Sequence, residues 1–146
     1  MAPSAKVFRC DDALLNPLVK KHIASLYMCV DTPDLEGWAN HFTEDAIFKK
    51  GATNVQGRDK LLPLIQKSWA PIESRDHVVY AVFPLNGPAK TDEVMLNGQS
   101  YNTYKTGEKS TFTWAARMHF TYSDDGSSVL IDRYTIIVDT EPATIA

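Results

Sequence analysis

The residues whose types and spacing could move protons or hold a substrate charge, His77, Arg117, His119 and Asp132, lie in the second half of this chain. The stretch "TWAARMHFTY", residues 113–122, alternates as a β-strand does, so Arg117 and His119 share one side and Trp114, Met118 and Phe120 the other. If the turn "SDDGSS" sets Tyr122 opposite Val129, His119 faces Asp132 and Arg117 faces Tyr134 across a hairpin. A carboxylate beside an imidazole fixes its tautomer and supports its charged form, which suits a general acid or base. The bland counterpart is an exposed cross-strand ion pair of small energetic value. Arg117 brings a permanent charge and a fork of N–H donors, fit for a substrate carboxylate or an enolate, or for an acidic neighbour on the strand. His77 is a second candidate acid or base, or else a strand-end histidine beside Asp76. Tyr101 and Tyr134 offer hydroxyl donors, Gln99 shares the side of Tyr101, and Trp38, Phe42 and Trp69 supply apolar wall or core.

Side chains so far apart in the chain need a scaffold to bring them together. "NPLVKKHIASLYMCVD" reads as a helix, with Asn16 as N-cap, Pro17 at the first position and a stripe of Leu18, His22, Ile23, Leu26 and Val30. "TPDLEGWANHF" repeats the start signal with Thr32 as cap, and Leu35, Trp38 and Phe42 form the inner face of a short second helix. "DAIFKK" is a short strand, and "GRDKLLPLIQKSW" a third helix with Leu61, Leu62, Ile65 and Trp69 inward, where Pro63 fits only in the first turn. From His77 onward the pattern is β: "HVVYAVFPL", "VMLNGQSYNTY", the stretch around Trp114, and "VLIDRYTIIVD". Gly98 points to a bulge or bend in the second of these. Helices followed by a curved antiparallel meander predict an α+β domain, residues 1–146, with a core over about 14–139 and loose tails at 1–12 and 140–146.

Composition excludes several functions. The chain has 146 residues, 44% of them hydrophobic, and a net charge of −3, which offers no basic field for nucleic acid. Two cysteines, Cys10 and Cys29, make no disulfide framework or zinc spacing, and no glycine-rich phosphate loop is present, so neither metal nor organic cofactor is expected. "MAPSAKVFRC" lacks the apolar segment of a signal peptide and no run reaches membrane-spanning length, which predicts a cytoplasmic protein without membrane partners.

With "WANHFTEDAIF", "QGRDKLLPLI" leading into Trp69, "RDHVV" and the closing "IDRYTIIVD", the chain over roughly residues 14–139 resembles the nuclear transport factor 2-like cone fold, and its SnoaL-like enzymes in particular. The resemblance implies a conical pocket between the concave sheet face and the helices. It also implies cofactor-free cyclisation, dehydration, isomerisation or epoxide opening. In scytalone dehydratase-like relatives a histidine opens the second strand where His77 stands here, and their helical tyrosine and aspartate find an approximate echo in Tyr27 and Asp31. SnoaL-type cyclases place an aspartate on the last strand, where this chain has Ile136, a departure that argues against their aldol mechanism.

The resemblance puts the helices over the face holding Arg117 and His119. The physical alternative puts them over the aromatic face and leaves Arg117 and His119 in water. On the first reading Phe112, Trp114, Met118, Phe120, Ile131 and Ile137 form an outer apolar patch, which predicts a homodimer centred on Trp114 and Phe120. The function expected is a cofactor-independent isomerase, cyclase or dehydratase acting by acid–base catalysis on a polycyclic natural-product intermediate. A non-catalytic small-molecule-binding or dimerisation module of the same fold is the alternative.

Overall fold

The computed structural model describes residues 6–139. Asn16 Oδ1 accepts from the Leu18 N–H at 2.9 Å and Pro17 fills the first turn, so α1 runs Pro17–Asp31. The second start lies two residues later than its sequence signal. Thr32 closes α1, donating from its N–H and hydroxyl to the Met28 carbonyl, and the Asp34 carboxylate caps α2 (Leu35–Ala39) by accepting from Gly37 N–H. α3 (Arg58–Trp69) holds Pro63 in its interior and not in its first turn; the proline is exposed, while Leu61 and Ile65 face the core.

The strands are β1 (Phe42–Lys50), β2 (Thr53–Gln56), β3 (Ile72–Leu85), β4 (Glu93–Tyr104), β5 (Lys109–Tyr122) and β6 (Val129–Asp139). They form one sheet in the order β2-β1-β6-β5-β4-β3, parallel between β1 and β6 and antiparallel elsewhere. β2 went unread in the sequence; Gly51, at φ 57, lets the chain fold back on β1. Residues 6–12, expected to be loose, are tied down. Arg9 forms a parallel bridge to Ala81, its N–H donating to the Tyr80 carbonyl at 3.0 Å and its carbonyl accepting from Val82 at 2.9 Å. Residues 140–146 and 1–5 of the expected tails lie outside the described residues.

The hairpin of β5 and β6 starts as the sequence suggests, with Tyr122 opposite Val129. A β-bulge then inserts Asp132, so that His119 pairs with Arg133, Met118 with Tyr134 and Arg117 with Thr135. One extra residue reverses the facing of everything beyond it. Tyr134, Ile136 and Val138 thereby join Trp114, Ala116 and Met118 on one face. The helices cover that face: Trp114, Met118 and Phe120 are 5%, 0% and 2% exposed. The expected assignment of faces is therefore reversed, because burying the aromatic and aliphatic rings removes far more apolar surface from water than burying Arg117 and His119 would. Trp114 and Phe120 are core residues, so the patch on which the homodimer was centred is absent from the outer surface.

Candidate active site

The concave face and the helices enclose a cavity of about 460 Å³, lined by Tyr27 and Val30 of α1, Trp38 of α2, Trp69 of α3, and Arg75, His77, Asn102, Trp114 and Tyr134 of the sheet. Helix α1 sets its polar end. Tyr27 and Asp31 stand one helical turn apart on the same face, so both reach the sheet. Asp31 Oδ1 accepts from His77 Nδ1–H at 2.6 Å and Oδ2 accepts from the His77 backbone N–H at 2.8 Å. The Asp31 side chain is fully buried, and Lys6 Nζ lies 2.5 Å from its Oδ2. Lys6 also donates to the His77 carbonyl at 2.8 Å and to Asp76 at 2.9 Å, so the segment before α1 clasps the histidine from behind.

Electrostatics fix the resting state of this pair. Burial opposes the charge on Asp31, but the bonds from His77 and Lys6 outweigh it and hold the carboxyl below its ordinary range. Burial also dominates at His77 and, despite Asp31, lowers the imidazole below its usual value. The pair rests as a neutral imidazole on a carboxylate. With Nδ1–H committed to Asp31, Nε2 carries the lone pair, and His77 lines the cavity.

Hydrogen-bond donors stand beside the imidazole, whose ring centre is 5.4 Å from that of Tyr27 and 6.1 Å from that of Trp114. The Tyr27 and Tyr134 hydroxyls lie 2.9 Å apart, and burial pushes both phenols well above their ordinary pKa, so both keep their protons. Two hydroxyls sharing one hydrogen bond leave one O–H without an acceptor among the described residues. The Trp114 indole stacks on Tyr27 at 5.1 Å between ring centroids, and its Nε1–H is buried with no partner among the described residues. That ring lies against Gly98, where a Cβ would run into the Val78 carbonyl oxygen and sit 2.7 Å from Trp114 Cζ2. Close approach, more than a bend in β4, is thus the use of this glycine; the bulge lies across from it in β3, between Val79 and Ala81.

His77, Tyr134, Trp38 and Trp69 of the sequence candidates line the cavity, whereas Phe42 packs beneath it in the core at 1% exposure. The others lie elsewhere. Arg117 is exposed on the outer face and bound by both nitrogens of its fork to Glu93, with Nη2 to Oε2 at 3.1 Å. His119 and Asp132 do pair, Nδ1 to Oδ1 at 2.7 Å, but with Thr121 they line a second depression, of about 430 Å³, on the outer face beside Asp45 and Arg133. Tyr101 and Gln99 bond each other and Tyr80 on the outer face. Alternation explains these displacements, since each occupies the strand phase opposite the cavity. Sequence reasoning missed Lys6, Arg75 and Trp114, and reached Tyr27 and Asp31 only through resemblance. His22 and His41 are stacked at 4.5 Å, and His41 is buried. Among the described residues no cluster of three His, Cys, Asp or Glu side chains is placed to hold a metal, and no helix is long and apolar enough to cross a membrane.

No family model and no curated protein matches the sequence. Solved structures do. A protein provisionally named a dehydratase of the NTF2-like family, from Streptomyces avermitilis, superposes with a TM-score of 0.70 at 12% identity, over 85% of this chain and 96% of that one. ActVI-ORFA from Streptomyces coelicolor gives 0.67 at 14% identity, over 84% and 95%. A protein provisionally named an aromatic ring hydroxylase, from Novosphingobium aromaticivorans, gives 0.71 at 18% identity, over 86% and 88%. The fold is the NTF2-like cone. Identities this low establish the architecture of the NTF2-like domain and leave its chemistry to the cavity.

Proposed function

We propose that this NTF2-like domain is an acid–base enzyme that takes a proton from the carbon next to a carbonyl group on a ring-bearing substrate, leading to dehydration or isomerisation. The observation that carries this reading is the oriented pair: Nε2 of a neutral His77, held by Asp31, in the same cavity as the spare tyrosine proton. His77 Nε2 accepts the proton, and the C–H electron pair moves into the enolate. The Tyr27–Tyr134 hydroxyl pair stabilises its oxygen. Collapse of the enolate either expels a β-hydroxyl, which leaves as water with the proton returned by the imidazolium, or takes that proton back at another carbon. The names of the structural neighbours, a provisional dehydratase among them, agree with such chemistry. The cavity volume, about 460 Å³, falls in the range of small-molecule sites, and its tryptophan walls suit fused rings.

The test uses 2-tetralone, a bicyclic ketone, in heavy water. Proton NMR should show enzyme-dependent deuterium uptake next to the carbonyl, lost in His77→Gln. Uptake that is equal with and without protein, alongside measurable binding of the ketone, would favour a non-catalytic binding module.

A further inference from the structure

Two cations of the cavity have no work in the proton transfer. Arg75, on β3, and Lys50, at the end of β1, come from opposite sides of the curved sheet and line the same cavity. The cone brings them together. Among the described residues neither has a carboxylate within ion-pair distance or a side-chain hydrogen bond, and unlike the other cations without an acidic partner both line this cavity. The Arg75 guanidinium instead lies 5.7 Å from the centre of the Trp69 ring, beside Asn102, its cross-strand partner on β4. Asn102 is 7% exposed and also lines the cavity. Burial disfavours the charge on each and Arg75 adds its repulsion at Lys50, while the more distant Asp31 carboxylate and Tyr104 offset only part of the effect at Arg75. An arrangement of this kind costs stability unless something negative enters between them.

We propose that this part of the cavity is an anion subsite, in which Arg75 and Lys50 hold a carboxylate carried by the ring-bearing substrate. The planar fork of Arg75 matches a carboxylate in two-point contact, and the Trp69 ring beside it gives the guanidinium an aromatic neighbour in place of a carboxylate. Lys50, the more exposed of the two, contributes a point charge from the rim. The aromatic walls take the rings, and the His77 end takes the reacting carbon. The assignment rests on the cavity being the substrate site, and its test is independent of turnover.

Isothermal titration calorimetry with 2-naphthoate and its uncharged analogue 2-naphthamide reads the charge preference directly. The wild type should bind the acid at least about tenfold more tightly than the amide. Arg75→Met should bring the two to within about twofold, with Arg75→Lys in between because it keeps charge but not the fork. Lys50→Met should weaken the acid alone, and it serves if Arg75→Met fails to fold. Equal affinity for acid and amide, absence of naphthoate binding, or an undiminished preference in the folded variants would overturn the subsite. Naphthoate selectivity without His77-dependent deuterium uptake from 2-tetralone would leave the subsite standing and remove only the proton-transfer reading.

Discussion

One carboxylate holds His77 twice, Asp31 accepting from the ring Nδ1–H at 2.6 Å and from the backbone N–H at 2.8 Å. Replacing it with an amide keeps the shape but offers a single acceptor. In Asp31→Asn the amide NH₂ can face Nδ1, which selects the tautomer protonated at Nε2 and removes the basic lone pair from the cavity. Turnover should fall about a hundredfold or more, with the fold retained. Nitrogen NMR of the imidazole would register the tautomer change beside the rate.

The Tyr27–Tyr134 hydrogen bond gives a second expectation. Tyr27→Phe and Tyr134→Phe should each cost about 1 kcal/mol or somewhat more, since each strands the other hydroxyl in a buried site. The double variant should cost less than the sum, because no orphan remains. Denaturant titration of the four proteins measures the coupling, and deuterium uptake from 2-tetralone should drop in all three variants.

Acid stability follows from the histidines. Burial lowers His22 to about 4 and lowers His41 and His77 as well, while all three titrate near their ordinary value in the unfolded chain. Between the unfolded value and the lower native ones, the unfolded state binds more protons. Stability is therefore full above about pH 6.5 and is lost as pH falls toward 4, with His22 alone accounting for up to about 3 kcal/mol. Protonation of Asp31 extends the loss to lower pH, because its native carboxyl also titrates below its unfolded value. The Nε2–H of His22 donates to the His41 carbonyl at 3.0 Å, a bond that glutamine can replace. His22→Gln should flatten the slope of unfolding free energy between pH 6.5 and 4 measured by urea titration.

The outer face should be dispensable for chemistry. Arg117→Met and His119→Asn remove groups that the sequence makes attractive and the fold places outside the cavity. Activity should stay within about twofold of wild type, and stability should change by less than about 1 kcal/mol, as for other exposed pairs. A hundredfold loss of 2-tetralone exchange in either variant would move the site to the outer depression.

What the sequence made legible was local. Asn16 with Pro17 marks a helix start by chemistry contained within a few residues, and alternation around Trp114 marks a strand with two unlike faces. Choosing between those faces needed the bulge at Asp132, and its trace in the sequence is slight. Ile131 and Tyr134 both face inward with two charged residues between them, a spacing of three where an unbroken strand has two. That break moves Tyr134 into the cavity and leaves Arg117 outside it. Lys6 was beyond local reasoning altogether, because its partner His77 lies 71 residues away and nothing around "AKVFRC" announces a buried charge.

The strand order β1-β6-β5 sets a constraint on how the chain is made. The last described strand to leave the ribosome is seated in the interior of the sheet, between one of the earliest strands and its own hairpin partner. Until it arrives, β1 and β5 present unpaired edges to each other and Tyr27 has no hydroxyl to meet, its partner standing 107 residues downstream. A nascent chain stopped before Val129 therefore presents the β1 and β5 edges unpaired, the kind of surface chaperones and aggregation both recognise. Folding of the sheet and completion of the Tyr27–Tyr134 pair become one late event, paced by the release of β6.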